Sequence, residues 1–190
     1  MGHKGREKRD VVQNQRKLLH LKVNGKGITL TFGEDIEPWD SMGYDVYPWD
    51  TLAFTLREKL GLTGTKVACD NGACGSCTVL MDQRPVLSCS MLTADCEGKE
   101  ILTIEGLADP QSGKLDPVQE AFVRHHGIQC GFCTPGMILS AKALLMENPN
   151  PSEEEVKEGL AGNLCRCGNY DLMIVSVMEA AKMMRDKAEG

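Results

Sequence analysis

The alternation of apolar and polar positions changes character along the chain, and that change divides it. Leu18 to Val23 alternates with the two-residue period of a strand, Asn24-Gly25 supplies a tight turn, and Ile28 to Phe32 reads as the return strand. Residues 33–48 lose the pattern and are punctuated by proline and glycine, which predicts a loop. Leu52, Leu56 and Leu60 then recur at helical spacing behind a cap at Asp50 or Thr51, and Gly61 ends the run. Thr78 to Met81 and Val86 to Met91 predict two strands around a Gln83-Arg84 turn, and Glu100 to Ile104 predicts a last strand.

From about residue 105 the period becomes helical. Asp116-Pro117 opens one helix, with proline at its first position. Thr134-Pro135 opens a second that runs to about Glu147. Ser152 and Glu155 form a capping box for a third ending near Gly162. Asp171 starts a fourth, with Met173, Val177, Ala180 and Met184 on one face. The expected fold class is α+β: a strand-rich module over residues 18–104, with an insertion at 33–48, then an all-α four-helix unit over 105–190. The methionines of the last helix read as core filler.

Composition adds little to this, but charge distribution adds something. The chain has 190 residues, 25% charged and 42% hydrophobic, ordinary for a globular protein. Net charge is −6, yet residues 1–17 carry +4 and the rest −10. A basic, disordered arm is expected there, and the acidic body argues against nucleic acid as a partner. No apolar run approaches the length of a membrane span, and no apolar signal segment follows the basic start, so a cytoplasmic location is expected. Glu37-Pro38-Trp39-Asp40 is echoed by Tyr47-Pro48-Trp49-Asp50. Either Trp39 packs back on its own domain, or this stretch is a contact patch for a partner.

Cysteine carries the chemistry. Of nine cysteines, eight fall into two quartets: Cys69, Cys74, Cys77 and Cys89 as C-x4-C-x2-C-x11-C, and Cys130, Cys133, Cys165 and Cys167 as C-x2-C-x31-C-x-C. The first is the plant-type spacing of a 2Fe–2S cluster: thiolates are soft ligands, and three come from one tight loop with the fourth from a distant strand. Gly72 and Gly75 allow backbone angles that side chains forbid, so N–H groups can point at the sulfurs. Such hydrogen bonds raise the potential from a baseline of roughly −400 mV. The second quartet lies on two loops at helix ends. Taken alone it also fits a zinc site; beside the first it reads as a second 2Fe–2S site. Two clusters imply a chain that moves electrons. Cys96 is left over as a core thiol.

Other chemistry is not signalled. Gly61-Leu62-Thr63-Gly64-Thr65-Lys66 lacks the spacing of a phosphate loop, and no dinucleotide fingerprint occurs. His125-His126, placed on a helix, reads as packing or surface. No nucleophile–base pair stands out, so no catalytic residue is expected in this chain.

Four motifs together resemble one family. They are Leu60-Gly61-Leu62-Thr63-Gly64-Thr65-Lys66, Cys69-Asp70-Asn71-Gly72-Ala73-Cys74-Gly75-Ser76-Cys77, Gln129-Cys130-Gly131-Phe132-Cys133-Thr134-Pro135-Gly136-Met137, and Gly162-Asn163-Leu164-Cys165-Arg166-Cys167. Over about residues 18–185 the chain resembles the small iron–sulfur subunit of molybdenum hydroxylases, the family of xanthine dehydrogenase, carbon monoxide dehydrogenase and 4-hydroxybenzoyl-CoA reductase. The resemblance implies an N-terminal β-grasp, ferredoxin-like domain and a C-terminal four-helix bundle with a second 2Fe–2S cluster. It implies partners too: a large subunit with molybdopterin and a medium subunit with FAD, as a heterotrimer or a dimer of heterotrimers. Electrons would pass between molybdenum and FAD or an external carrier. The Cys130 cluster would lie near the pterin, with Gln129 and Cys167 in hydrogen-bonding reach of it. The chain departs from the family at Ala68, where glycine commonly precedes the first cysteine, at Gly168-Asn169-Tyr170, where Thr-Gly-Tyr is usual, and in its longer 33–48 loop. Competing readings are a stand-alone two-cluster ferredoxin and a zinc-stabilised interaction protein.

Overall fold

The protein is described here as a computed structural model covering residues 17–32 and 45–189. The expected basic arm, Trp39 and most of the 33–48 insertion lie outside the described residues.

The first hairpin forms as its pattern requires. Strands β1 (Lys17–Val23) and β2 (Lys26–Phe32) pair antiparallel from Lys17↔Phe32 to Val23↔Lys26. Asn24 and Gly25 both take positive φ, at 50° and 78°, as a two-residue hairpin turn demands. Leu19, Leu21 and Val23 point inward from β1. Part of the expected loop is in fact a strand: β3 (Asp45–Val46) runs parallel to β2, and Val46 is fully buried.

The expected helix after Thr51 is shorter and wider than helical spacing predicts. Helix α1 (Leu52–Phe54) is capped by the Thr51 hydroxyl, which accepts from the Phe54 amide. Residues Thr55–Lys59 then form a π-type turn, with the Leu60 amide donating to the Thr55 carbonyl at 3.0 Å. The wider turn keeps Leu52 and Leu56 both fully buried against β1 and β2.

Strands β4 (Thr78–Met81) and β5 (Arg84–Leu87) form a second hairpin. Its turn residues are Asp82 and Gln83, both at positive φ, rather than Gln83 and Arg84. The expected strand to Met91 stops at Leu87, and residues Ser88–Ser90 turn into a 3₁₀ segment. The last strand β6 (Glu100–Leu102) likewise gives way to a 3₁₀ turn at Ile104–Gly106. The mixed sheet has the order β3-β2-β1-β6-β4-β5, with β6 parallel to β1 and antiparallel to β4. Edge strand β5 carries Pro85 opposite Leu80.

The helical half follows. Helix α2 (Pro117–Arg124) has the Asp116 capping box, and Lys142 pairs with Asp116 at 2.6 Å with both side chains largely covered. Helices α3 (Thr134–Glu147), α4 (Glu153–Leu160) and α5 (Tyr170–Glu189) begin within a residue or so of their sequence signals. Phe122, Met137, Leu145, Val156, Met173 and Val177 form their shared core. His125 and His126 do not lie on a helix: His125 caps α2 and His126 takes φ 57° beyond it. Cys96 is fully buried in the strand-side core. Among the described residues no helix is long and apolar enough to cross a membrane.

Candidate metal centre

The first four cysteines are drawn into two close pairs because the chain between α1 and β4 closes on itself. Asp70, Gly72 and Gly75 sit at φ 53°, 75° and 71°, which folds Cys69 to Cys77 into a tight loop. A Cβ on Gly72 would stand 2.8 Å from the Ser90 hydroxyl. The 3₁₀ segment brings Cys89 beside Cys77, held by the Ser88 hydroxyl donating to the Cys77 carbonyl at 2.6 Å. The fourth thiol is therefore offered by a turn and not by a strand as expected; the turn bends Cys89 back over the loop. Cys77 and Cys89 are buried, while Cys69 and Cys74 are half-buried.

The second four come from the α2–α3 and α4–α5 connections. Gly131 at φ 83° lets the chain between Cys130 and Cys133 turn into α3, with Cys133 at the helix start. Gly168 at φ 73° does the same after Cys167, ahead of α5. Cys133 is buried, Cys165 half-buried, and Cys130 and Cys167 are exposed. The Tyr170 hydroxyl accepts from the Cys165 amide at 2.8 Å, and Gln129 donates to the Asn169 side chain at 3.2 Å.

Within each set the thiols approach in pairs. Cys69 lies beside Cys74 and Cys77 beside Cys89; Cys130 lies beside Cys167 and Cys133 beside Cys165. Among the described residues no three His, Cys, Asp or Glu side chains converge as a single-ion site would require. A two-iron cluster asks for two thiolates on each iron, and two thiol pairs in each set supply that number.

The backbone supplies donors to the sulfurs. Amides of Asn71 and Ala73, with the Cys74 side chain, bring the Cys69 thiol down to about 6. The Phe132 amide, with the Cys167 side chain, holds Cys130 below its ordinary range. Burial raises Cys165, but the Asn169 amide, the Cys133 side chain and the amides of Cys167 and Gly168 outweigh it. Burial instead pushes Cys77 up to about 11 and Cys133 up to about 12. Amides aimed at sulfur stabilise negative charge there, so this donor set fits iron–sulfur clusters. The Thr134 hydroxyl, next in the chain to Cys133, is buried with no hydrogen-bond partner among the described residues.

Sequence reasoning did not anticipate the residues that join the two sites. The Leu164 amide donates to the Cys74 carbonyl at 2.8 Å. Asn163, only 4% exposed, donates to the Gly75 carbonyl at 2.9 Å and accepts from Ser140 of α3 at 2.7 Å. The signal was present in the Gly-Asn-Leu-Cys motif, but its partner lies 88 residues away.

Comparison with known proteins agrees with this geometry. Residues 44–103 match the family model of a 2Fe-2S iron-sulfur cluster binding domain, and residues 103–179 match that of a [2Fe-2S] binding domain. The nicotine 6-hydroxylase small subunit of Paenarthrobacter nicotinovorans is 49% identical over 132 residues, covering 70% of this chain and 78% of that one. A probable xanthine dehydrogenase subunit of Bacillus subtilis is 45% identical over 135 residues, covering 71% and 74%. Among solved structures, a chain of quinoline 2-oxidoreductase from Pseudomonas putida 86 superposes with a TM-score of 0.77 at 41% identity, covering 90% of this chain and 98% of that one. With two cluster-binding domains in tandem and relatives of this similarity along most of its length, the chain belongs to the small iron–sulfur, electron-transfer subunits of the molybdenum hydroxylases.

Proposed function

We propose that Cys69, Cys74, Cys77 and Cys89 hold one 2Fe–2S cluster and Cys130, Cys133, Cys165 and Cys167 hold the other. The chain would then carry electrons between a large molybdopterin subunit and a medium FAD subunit, or an external carrier. A bound 2Fe–2S cluster supplies a one-electron store that cycles without large movement of its ligands. The observation that carries the reading is the arrangement of eight thiols as close pairs on two loop systems joined by the Leu164–Cys74 backbone hydrogen bond and the Asn163 side chain.

The protein's own residues do the rest. The loop amides favour charge on the Cys69, Cys130 and Cys165 sulfurs, and the apolar packing around Cys77, Cys89 and Cys133 limits water. Residues 18–104 serve as the ferredoxin-like, β-grasp domain and 105–190 as the four-helix bundle. The second site faces outward: Cys130 and Cys167 are exposed, and Phe132 and Leu164 stand exposed beside them. Apolar side chains left in water around a charged site favour coverage by the large subunit. Gln129 and Cys167 lie on that face, where they would meet the pterin. A heterotrimer in the cytoplasm is the assembly that fits this reading.

The test is metal content with spectroscopy of the purified complex. About four irons per chain and two distinct reduced-cluster signals are expected. Two irons with one zinc would refute the assignment of the second site. Substrate chemistry is assigned to the large subunit.

A further inference from the structure

The two cysteine loops belong to different halves of the chain, yet they interlock. Asn163 sits between them. Its amide group donates to the Gly75 carbonyl at 2.9 Å and to the Thr78 hydroxyl at 3.3 Å, and its oxygen accepts from the Ser140 hydroxyl at 2.7 Å. The next residue, Leu164, donates its amide to the Cys74 carbonyl at 2.8 Å. The packing leaves no slack. A Cβ on Gly75 would lie 2.4 Å from the Gly162 carbonyl, and one on Gly136 would lie 2.3 Å from the Gly75 carbonyl.

From these contacts we propose that Asn163 is a positioning residue: it locks the Cys69–Cys77 loop to the Cys165–Cys167 loop and so sets the separation and electronic coupling of the two cluster sites. The inference rests on the ligand assignment above. A buried side-chain amide suits the task for three reasons. It can donate twice to one loop while accepting from α3, so its orientation is fixed from both halves. Each of these bonds is buried, so breaking one leaves an unsatisfied polar group and a slipped arrangement costs more than the bond itself. The lock also holds Leu164 against Cys74. That leaves one hydrogen bond between the residue bearing a thiol of the first site and the neighbour of Cys165 in the second. Electron tunnelling favours bonded routes over gaps, so slippage here would weaken coupling without removing a ligand.

The test uses the whole complex carrying the natural chain, N163D or S140A. N163D keeps the shape and the acceptor but removes both donors and puts an oxygen against the Gly75 carbonyl. S140A removes only the group that orients the amide. All three are expected to hold four irons, with two reduced-cluster signals. The magnetic splitting between the two reduced centres should fall clearly in N163D, with S140A between it and the natural chain. Exchange of the Leu164 amide with solvent should quicken by about tenfold in N163D, as loss of a locking hydrogen bond implies. Natural splitting and natural Leu164 protection in N163D would overturn the proposal. Should N163D not assemble, S140A decides by the same two readouts: natural values in it would overturn the lock, and reduced values would support it. A natural complex lacking the four irons would instead defeat the ligand assignment, and Leu164 exchange would still judge the lock.

Discussion

Replacing Gly136 with alanine sets two known effects against each other, and the structure decides between them. Gly136 lies in the first turn of α3, where alanine normally favours the helix by about 1 kcal/mol. Here the added Cβ would stand 2.3 Å from the Gly75 carbonyl and 3.1 Å from the Asn163 amide nitrogen. The near neighbour is backbone, so relief requires moving α3 or the first cysteine loop by roughly an ångström. Overpacking of this kind costs about 1–3 kcal/mol. Weakening the bond from Asn163 to the Gly75 carbonyl adds about 1 kcal/mol. The clash outweighs the helical gain, and G136A should destabilise the chain by about 1–3 kcal/mol. For a chain of this size that lowers Tm by about 2–12 °C. The assay is thermal unfolding followed by both far-ultraviolet dichroism and visible cluster absorption. Gly159 is the control: the nearest atom to a Cβ there is the movable Cδ2 tip of Leu144 at 2.9 Å, so G159A should melt within a few degrees of the natural chain. If G136A melted at or above the natural chain, the tight approach of α3 to the loop would be refuted.

C130S should leave the first cluster and the strand-rich half intact while losing the second cluster and loosening α2 to α5, seen as loss of one reduced-cluster signal with half the iron retained. K142M should cost about 1–3 kcal/mol in denaturant unfolding, because it leaves the covered Asp116 unpaired; K22M, which breaks an exposed pair with Glu100, should cost less than about 1 kcal/mol. S152A should lower the opening free energy of α4 by about 1 kcal/mol in hydrogen exchange. The Ser152 amide and hydroxyl hold the Glu155 carboxyl below its usual range, so the stability it gives α4 is present above the ordinary carboxylate value and fades as pH falls through the lowered one. E155Q should remove that acid dependence of α4 protection, and an unchanged profile would refute it.

Much of this was legible in the sequence because it is local. The Asn24-Gly25 turn, Pro117 and Pro135 at helix starts, and the Ser152–Glu155 box act within a few residues, and each lies where its signal placed it. The two cysteine-bearing loop systems were legible because spacing encodes loop closure. What was missed depends on distant partners. The two residues of β3 carry no period and exist through pairing with Thr31 and Phe32. Cys89 turns away from its expected strand because Ser88 bonds to Cys77. The π-type turn after α1 reconciles two buried leucines with a strand surface that helical spacing alone does not describe. Asn163 is an ordinary asparagine until Gly75 is folded against it.

Edge strand β5 carries a consequence for association. Met81 and Arg84 close a two-residue hairpin, so the neighbouring Leu80–Pro85 pair turns its main-chain groups outward. At that outward position proline has no hydrogen to give. A visiting strand would meet a missing rung beside the charge of Arg84, so the sheet resists lengthening by a second copy at this rim. At this rim, neighbouring molecules are met through side-chain surfaces, and crowding of many copies during synthesis is less prone to lengthen the sheet there.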